Sequence, residues 1–162
     1  MDILNKARAG QNALEGIVNA VPGFKGYREK ELRRDADKLQ REYLANALEE
    51  CKKTLNDHAS EATRSGRLDA LNEIETARKR LDKVVARIRY ADRGYAGFFD
   101  TIKVDDAVLQ RIYEFDLSLL ADVDAVRQAT GLEHAAVAAM IDRLAALDTK
   151  LGEREAILSG IR

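Results

Sequence analysis

The stretch YREKELRRDADKLQREYLANALEECKKTLNDHASEATRSGRLDALNEIETARKRLDKVVARIRYADR, residues 27–93, decides the fold. Within it Leu32, Ala36, Leu39, Tyr43, Ala47, Cys51, Leu55, His58 and Ala62 recur at spacings of three and four. Leu68, Leu71, Ile74, Ala77, Leu81, Val84, Ile88 and Ala91 then do the same. Residues three and four apart share one face of an α-helix, so each set is an apolar seam. Gly66 is the breaker between the two seams. The spacing predicts one helix over 27–65 and another over 67–93, folded back on each other as an antiparallel, near-heptad hairpin.

Working outward, Ile3, Ala7, Gly10, Leu14, Ile17 and Val21 give residues 1–21 one apolar face, and Pro22 and Gly23 stop that helix. Downstream, Val108, Ile112, Phe115, Leu119, Val123 and Val126 mark a helix over 105–130, with Asp105 or Asp106 at its N-cap and Gly131 at its end. Val137, Met140, Leu144, Leu147, Leu151 and Leu158 mark another over 132–160, where Arg154 alone breaks the seam. The expected fold is all-α. Residues 22–162 form an elongated antiparallel bundle of four long helices with coiled-coil-like seams, preceded by a short amphipathic helix over 1–21. Composition agrees, since Ala, Leu, Glu, Lys and Arg supply 84 of the 162 residues while there is one Pro and no Trp. Too few β-branched and aromatic residues remain for several strands.

Lys and Arg total 27 against 28 acids, a formal charge of -1, so no global field draws the chain to nucleic acid or an anionic membrane. The charge is nevertheless sorted. Arg78, Lys79, Arg80, Lys83, Arg87, Arg89 and Arg93 outweigh Asp82 and Asp92, whereas Asp105, Asp106, Glu114, Asp116, Asp122 and Asp124 outweigh Arg111. The expectation is that these two helices are neighbours with complementary flanks, and that nucleic acid is not a partner. Cys51 is the single cysteine, which excludes an internal disulfide. Residues 1–21 lack the compact apolar core of a secretory signal, and the expected location is cytoplasmic.

The constellation that stands out is a repeated pattern. Gly23-Phe24-Lys25-Gly26-Tyr27 and Gly94-Tyr95-Ala96-Gly97-Phe98 both read glycine, aromatic, any residue, glycine, aromatic. In an antiparallel hairpin both lie toward the same end of the bundle. The functional expectation is a partner-docking surface made by Phe24, Tyr27, Tyr95, Phe98 and Phe99, with Arg87, Arg89 and Arg93 beside it. The competing reading is that the rings plug the open end of the bundle, as large apolar side chains usually do. The start of the 27–65 helix also overhangs its partner, so Leu32, Ala36 and Leu39 need a cover: residues 1–21, the Gly94 loop, or a second copy.

Catalytic and metal patterns are not evident. Neither His58 nor His134 follows a Glu by three residues, zinc spacings and a phosphate-binding glycine loop are missing, and Cys51 and His58 read as seam residues. No cofactor is expected. The functional expectation is a non-enzymatic helical interaction or scaffold protein that binds a protein partner or itself. The alternative is a peripheral membrane-surface or stress-related coiled-coil protein using residues 1–21. The order of a short amphipathic helix and then a charged hairpin is similar in layout to membrane-remodelling phage-shock-type proteins, with no shared motif.

Overall fold

The computed structural model describes the backbone of residues 2–91, 96–101, 104–132 and 136–160. The fold is all-α. Helix α1 spans Asp2–Ala20, α2 Arg33–Arg64, α3 Leu68–Arg89, α4 Ala96–Asp100, α5 Asp106–Thr130 and α6 Val137–Ser159, with a 3-10 turn at Lys30–Leu32. Among the described residues there is no strand. Helix α2 packs on α3 and α5, and α6 packs on α3 and α5, which closes a four-helix ring; α1 lies against the outside of α5.

Several boundaries move for identifiable reasons. The helix expected over 27–65 begins only at Arg33. The Tyr27 N–H donates to Tyr113 Oη at 2.8 Å and its carbonyl accepts from Arg33 Nε at 2.7 Å, so the Tyr27 backbone is already engaged outside a helical ladder. The helix expected over 67–93 ends at Arg89. The segment expected over 132–160 is helical from Val137. The glycine-aromatic stretch expected as an irregular loop contains the five-residue α4. The Asp105 cap is present, its carboxylate accepting from the Ala107 N–H at 2.8 Å.

The reversal at Gly66 is a Schellman motif. Arg67 N–H donates to the Ala62 carbonyl and Gly66 N–H to that of Thr63, with Gly66 at φ +69. These bonds satisfy carbonyls that the end of α2 would leave free.

The charge-matched neighbours expected from the sequence are not neighbours. Helix α3 contacts α2 and α6, while α5 lies diagonally across the ring. Summed charge along a segment says nothing about which side chains face which helix. Here the α5 acids are spent elsewhere: Asp105 caps, Asp106 pairs with Arg28, Asp116 is buried, and Asp122 pairs with Lys150.

The interior falls into two apolar clusters. One contains Leu44, Leu48, Leu55, Ile74, Leu81, Val84, Ile88, Leu119, Val123, Met140, Leu144 and Leu151. The other, toward the aromatic end, contains Ala13, Ile17, Phe24, Tyr27, Ala36, Phe98, Phe99, Ile112, Tyr113 and Leu158. Overhang of the 32-residue α2 beyond the 22-residue α3 is covered from within the chain, because Ala36 is buried and Leu39 packs against this second cluster. Leu32 stays 39% exposed.

Two glycines carry a contrast that can be measured. At Gly26, φ is +91 and a Cβ would lie 2.7 Å from Tyr113 Oη and 3.3 Å from a Leu14 methyl; at Gly66 there is open space. Gly66→Ala should therefore cost only the left-handed backbone penalty, roughly 1–2 kcal/mol. Gly26→Ala adds overpacking and should cost roughly 2–4 kcal/mol. Urea midpoints of the two variants check this, and equal losses contradict it.

Candidate functional site

The candidate docking rings are interior. Phe24, Tyr27, Phe98 and Phe99 are all buried, with Tyr27 and Phe98 at 0% exposure. Tyr27 is the hub: Phe24 and Phe98 meet it edge-on at 5.3 and 5.4 Å between centroids, and Tyr113 stacks on it at 5.7 Å. Arg33 lies over the Phe98 ring and Arg34 over that of Phe99. These four rings therefore fill the end of the bundle and present no free face to a partner, whereas Tyr90, at the end of α3, is exposed. Tyr95 and Arg93 lie outside the described residues.

Arg87 and Arg89 are turned to neighbouring helices. Arg87 Nη1 donates to the carbonyl and carboxylate of Asp148, each at 2.9 Å, and Nη2 lies 3.6 Å from Glu155. The Asp148 bond and the nearby acids push its guanidinium up, against the opposing effect of burial. Arg89 reaches Asn46 at 3.3 Å and Glu49 at 3.9 Å.

Between the two apolar clusters lies a polar layer. On α2, Asp37, Gln40 and Arg41 separate Ala36 from Leu44; on α5, Asp116 separates Ile112 from Leu119; on α6, Arg154 separates Leu151 from Leu158. Arg154 is the centre. Its Nε donates to Asp116 Oδ1 at 2.7 Å, and its Nη2 donates to Asp37 Oδ1 at 2.8 Å, Asp116 Oδ2 at 3.2 Å and Tyr27 Oη at 3.2 Å. Tyr27 Oη in turn donates to Asp116 Oδ2 at 2.8 Å. Arg41 Nε closes the layer on Asp37 Oδ2 at 2.7 Å, and its Nη1 donates to the carbonyls of Ile88 and Arg89 at the end of α3.

Gln40 also touches the Tyr27 hydroxyl, through Oε1, while its Nε2 has no partner. The Tyr27 proton is already given to Asp116, so the hydroxyl can only accept from Gln40. Exchanging the amide O and N puts a donor there, which is the chemically consistent orientation.

Arg33, 1% exposed, is a buried cation of another kind. Four backbone carbonyls hold it: Tyr27, Phe98, Thr101 and Arg28 at 2.7, 3.2, 2.5 and 3.4 Å. It thereby ties α4 and the segment before α2 to the bundle. Burial pulls its guanidinium down from the usual value, opposed by Tyr113 and Glu31.

Sequence reasoning placed the seam at the start of α2 on Leu32, Ala36, Leu39 and Tyr43, of which Ala36 is buried, and so missed this layer. Beside Ala36, the inner face at this end carries Arg33, Asp37, Gln40 and Arg41. Two signals were available. Arg154 occupies a core position and must therefore have buried partners. The line from Leu48 and Leu44 continues by threes and fours into Arg41, Asp37 and Arg33.

Elsewhere, a cleft of about 340 Å³ lies between α1 and α5, lined by Leu14, Leu109 and Tyr113 together with Gln11, Gln110, Arg28 and Asp106. Among the described side chains of α1, Ala13 and Ile17 are buried in the cluster that holds Leu109, Ile112 and Tyr113 of α5. Cys51 is buried, and burial pushes its thiol up. His58 Nε2 lies 2.9 Å from the Thr130 carbonyl. Among the described residues no three His, Cys, Asp or Glu side chains come together to hold a metal, and no helix is long and apolar enough to cross a membrane. No protein-family model, curated protein or solved structure matches the chain.

Two outcomes follow from the layer. Replacing Arg154 by Met leaves Asp116 buried without its cation and Asp37 with Arg41 alone, and urea unfolding should show a loss of about 3–5 kcal/mol. Adding Asp116→Asn to that variant should recover part of the loss, since the carboxylate left without a cation is then neutral while Asp37 still neutralises Arg41; no recovery would mean the cost is one of packing.

The second concerns pH. Burial, chiefly, and the adjacent Asp116 carboxylate push the Tyr27 phenol well above its ordinary value of 10.0. Below that pH the phenol keeps its proton in both folded and unfolded chains, so the stabilisation is complete. As pH rises past about 10 the unfolded chain releases a proton that the folded chain retains, and stability falls by up to about 1.4 kcal/mol per pH unit. Tyr113 is shifted in the same direction, again mainly by burial. Tyr27→Phe should be less stable at neutral pH yet show a shallower alkaline slope, as read from urea midpoints between pH 8 and 11.

Proposed function

We propose that this protein is a non-enzymatic helical interaction or scaffold protein that engages a protein partner, or itself, through the outer faces of its helices. The observation that supports the reading is the polar layer. Buried ion pairs seldom add stability over a well-packed apolar core, and their best-attested use is to fix the register of packed elements. A chain that uses Arg154, Asp37, Asp116 and Tyr27 in this way holds three helices and a loop in one alignment. The consequence is a fixed set of outer faces, which is what a scaffold requires.

Phe24, Tyr27, Phe98 and Phe99 are not the docking surface in this reading, because all four are buried. Light scattering over a wide concentration range, combined with cross-linking mass spectrometry on protein isolated from its native source, tests the proposal. Concentration-dependent self-association, or reproducible cross-links from lysines on the outer faces of α2 and α3 to one partner, is the expected result. A strict monomer without specific cross-links counts against it.

A further inference from the structure

Resting on that reading, we propose that the outer face of α3 is the docking surface, and that its partner is a short acidic helix. The diagonal placement of α3 and α5 is what exposes the face. Of the basic run, Arg78 pairs with Glu75, Arg87 with Asp148 and Glu155, and Arg89 with Glu49. Lys79, Arg80 and Lys83 are exposed and form no ion pair with any described residue. The neighbouring acid Asp82 is already taken by Lys52.

Lys79, Lys83 and Tyr90 follow one another by four and seven residues, which puts them in one line along the side of α3 opposite its buried residues. Tyr90, at the C-cap, is 71% exposed, the most exposed of the large apolar side chains that the structure describes. The line is about 17 Å long at the ordinary helical rise. Two cations about one turn apart match a pair of acids four residues apart on a second helix, and an exposed ring two turns on matches an apolar side chain.

The same surface is ill suited to a polyanion. Three cations neutralise too few phosphates for useful affinity, and a single aromatic gives no stacking platform. Asp69 and Glu73, exposed on the preceding turns of α3, and Glu153, exposed on the adjacent α6, limit the basic surface to a short segment. A membrane plane would meet those acids, whereas a helix of three turns need not.

The test is an NMR titration of the full, isotope-labelled chain. The probe is an alanine-based helical peptide with Glu residues four apart and a Leu seven residues beyond; its Gln counterpart is the control. Amide shifts confined to residues 79–90, about tenfold weaker binding in a Lys79→Ser, Lys83→Ser double variant, and loss of binding to the Gln peptide are expected. Tyr90→Ser should weaken binding severalfold. These side chains are exposed, so the variants fold, as circular dichroism would verify. Unchanged binding by the double variant overturns the proposal, as does an absence of shifts along α3. Tighter binding of a 20-nucleotide single strand, or of phosphatidylserine vesicles, than of the Glu peptide overturns it in favour of a polyanion or a membrane. If this face fails while other faces cross-link to a partner, only the docking assignment falls and the interaction reading stands.

Discussion

The guanidinium of Arg154, held between the carboxylates of Asp37 and Asp116, is the constraint on which the rest of the structure depends. Its side chain is 4% exposed and both carboxylates are fully buried. Apolar contacts alone tolerate sliding, because a leucine seam one turn out of step still buries leucine. A charge does not, because a slip of one turn in α2, α5 or α6 would strand an ion in the interior at several kcal/mol. The layer therefore selects one alignment of the helices from those that the apolar seams would allow. Tyr27 extends this selection to the chain before α2, and Arg33 extends it to α4.

The two buried arginines of α2 work differently. Arg41 is neutralised by Asp37 four residues earlier and also satisfies the last carbonyls of α3. Arg33 forms no ion pair with any described residue and relies on carbonyl dipoles converging from two segments. Those carbonyls belong to residues outside regular helix or at the end of a short one, where the backbone has acceptors to spare. The irregular chain near the aromatic end is thus organised around a side chain that the neighbouring regular helix supplies.

The fold class was legible because helix periodicity is written in leucines and breakers, and Gly66, Asp105 and Gly131 mark real ends. Which face of a helix is inward was legible only where apolar residues occupy it. At the start of α2 the inward face is charged, and charge in a sequence looks alike whether it is solvated or paired. Arg154 was the exception, since an arginine within an otherwise unbroken core line cannot be solvated. The adjacency of helices was not legible from charge sums, because Asp116 and Asp122, counted as part of an acidic flank, are committed to α6. The paired glycine-aromatic motifs do converge, since Tyr27 of the first meets Phe98 of the second, but the rings that meet are buried.

Arg41 also bears on how the molecule opens. Its hold on Ile88 and Arg89 means that the last turn of α3 cannot fray without withdrawing acceptors from a buried cation, and that cation shares Asp37 with Arg154. Helix ends ordinarily open first and independently. In this molecule the end of α3 is joined through Arg41 and the Asp37 carboxylate of α2 to Arg154 of α6, so the two apolar clusters on either side of the layer are coupled. Loosening at the end of α3 therefore disturbs the buried ion pairs that separate the clusters, which ties the stability of that end to the layer.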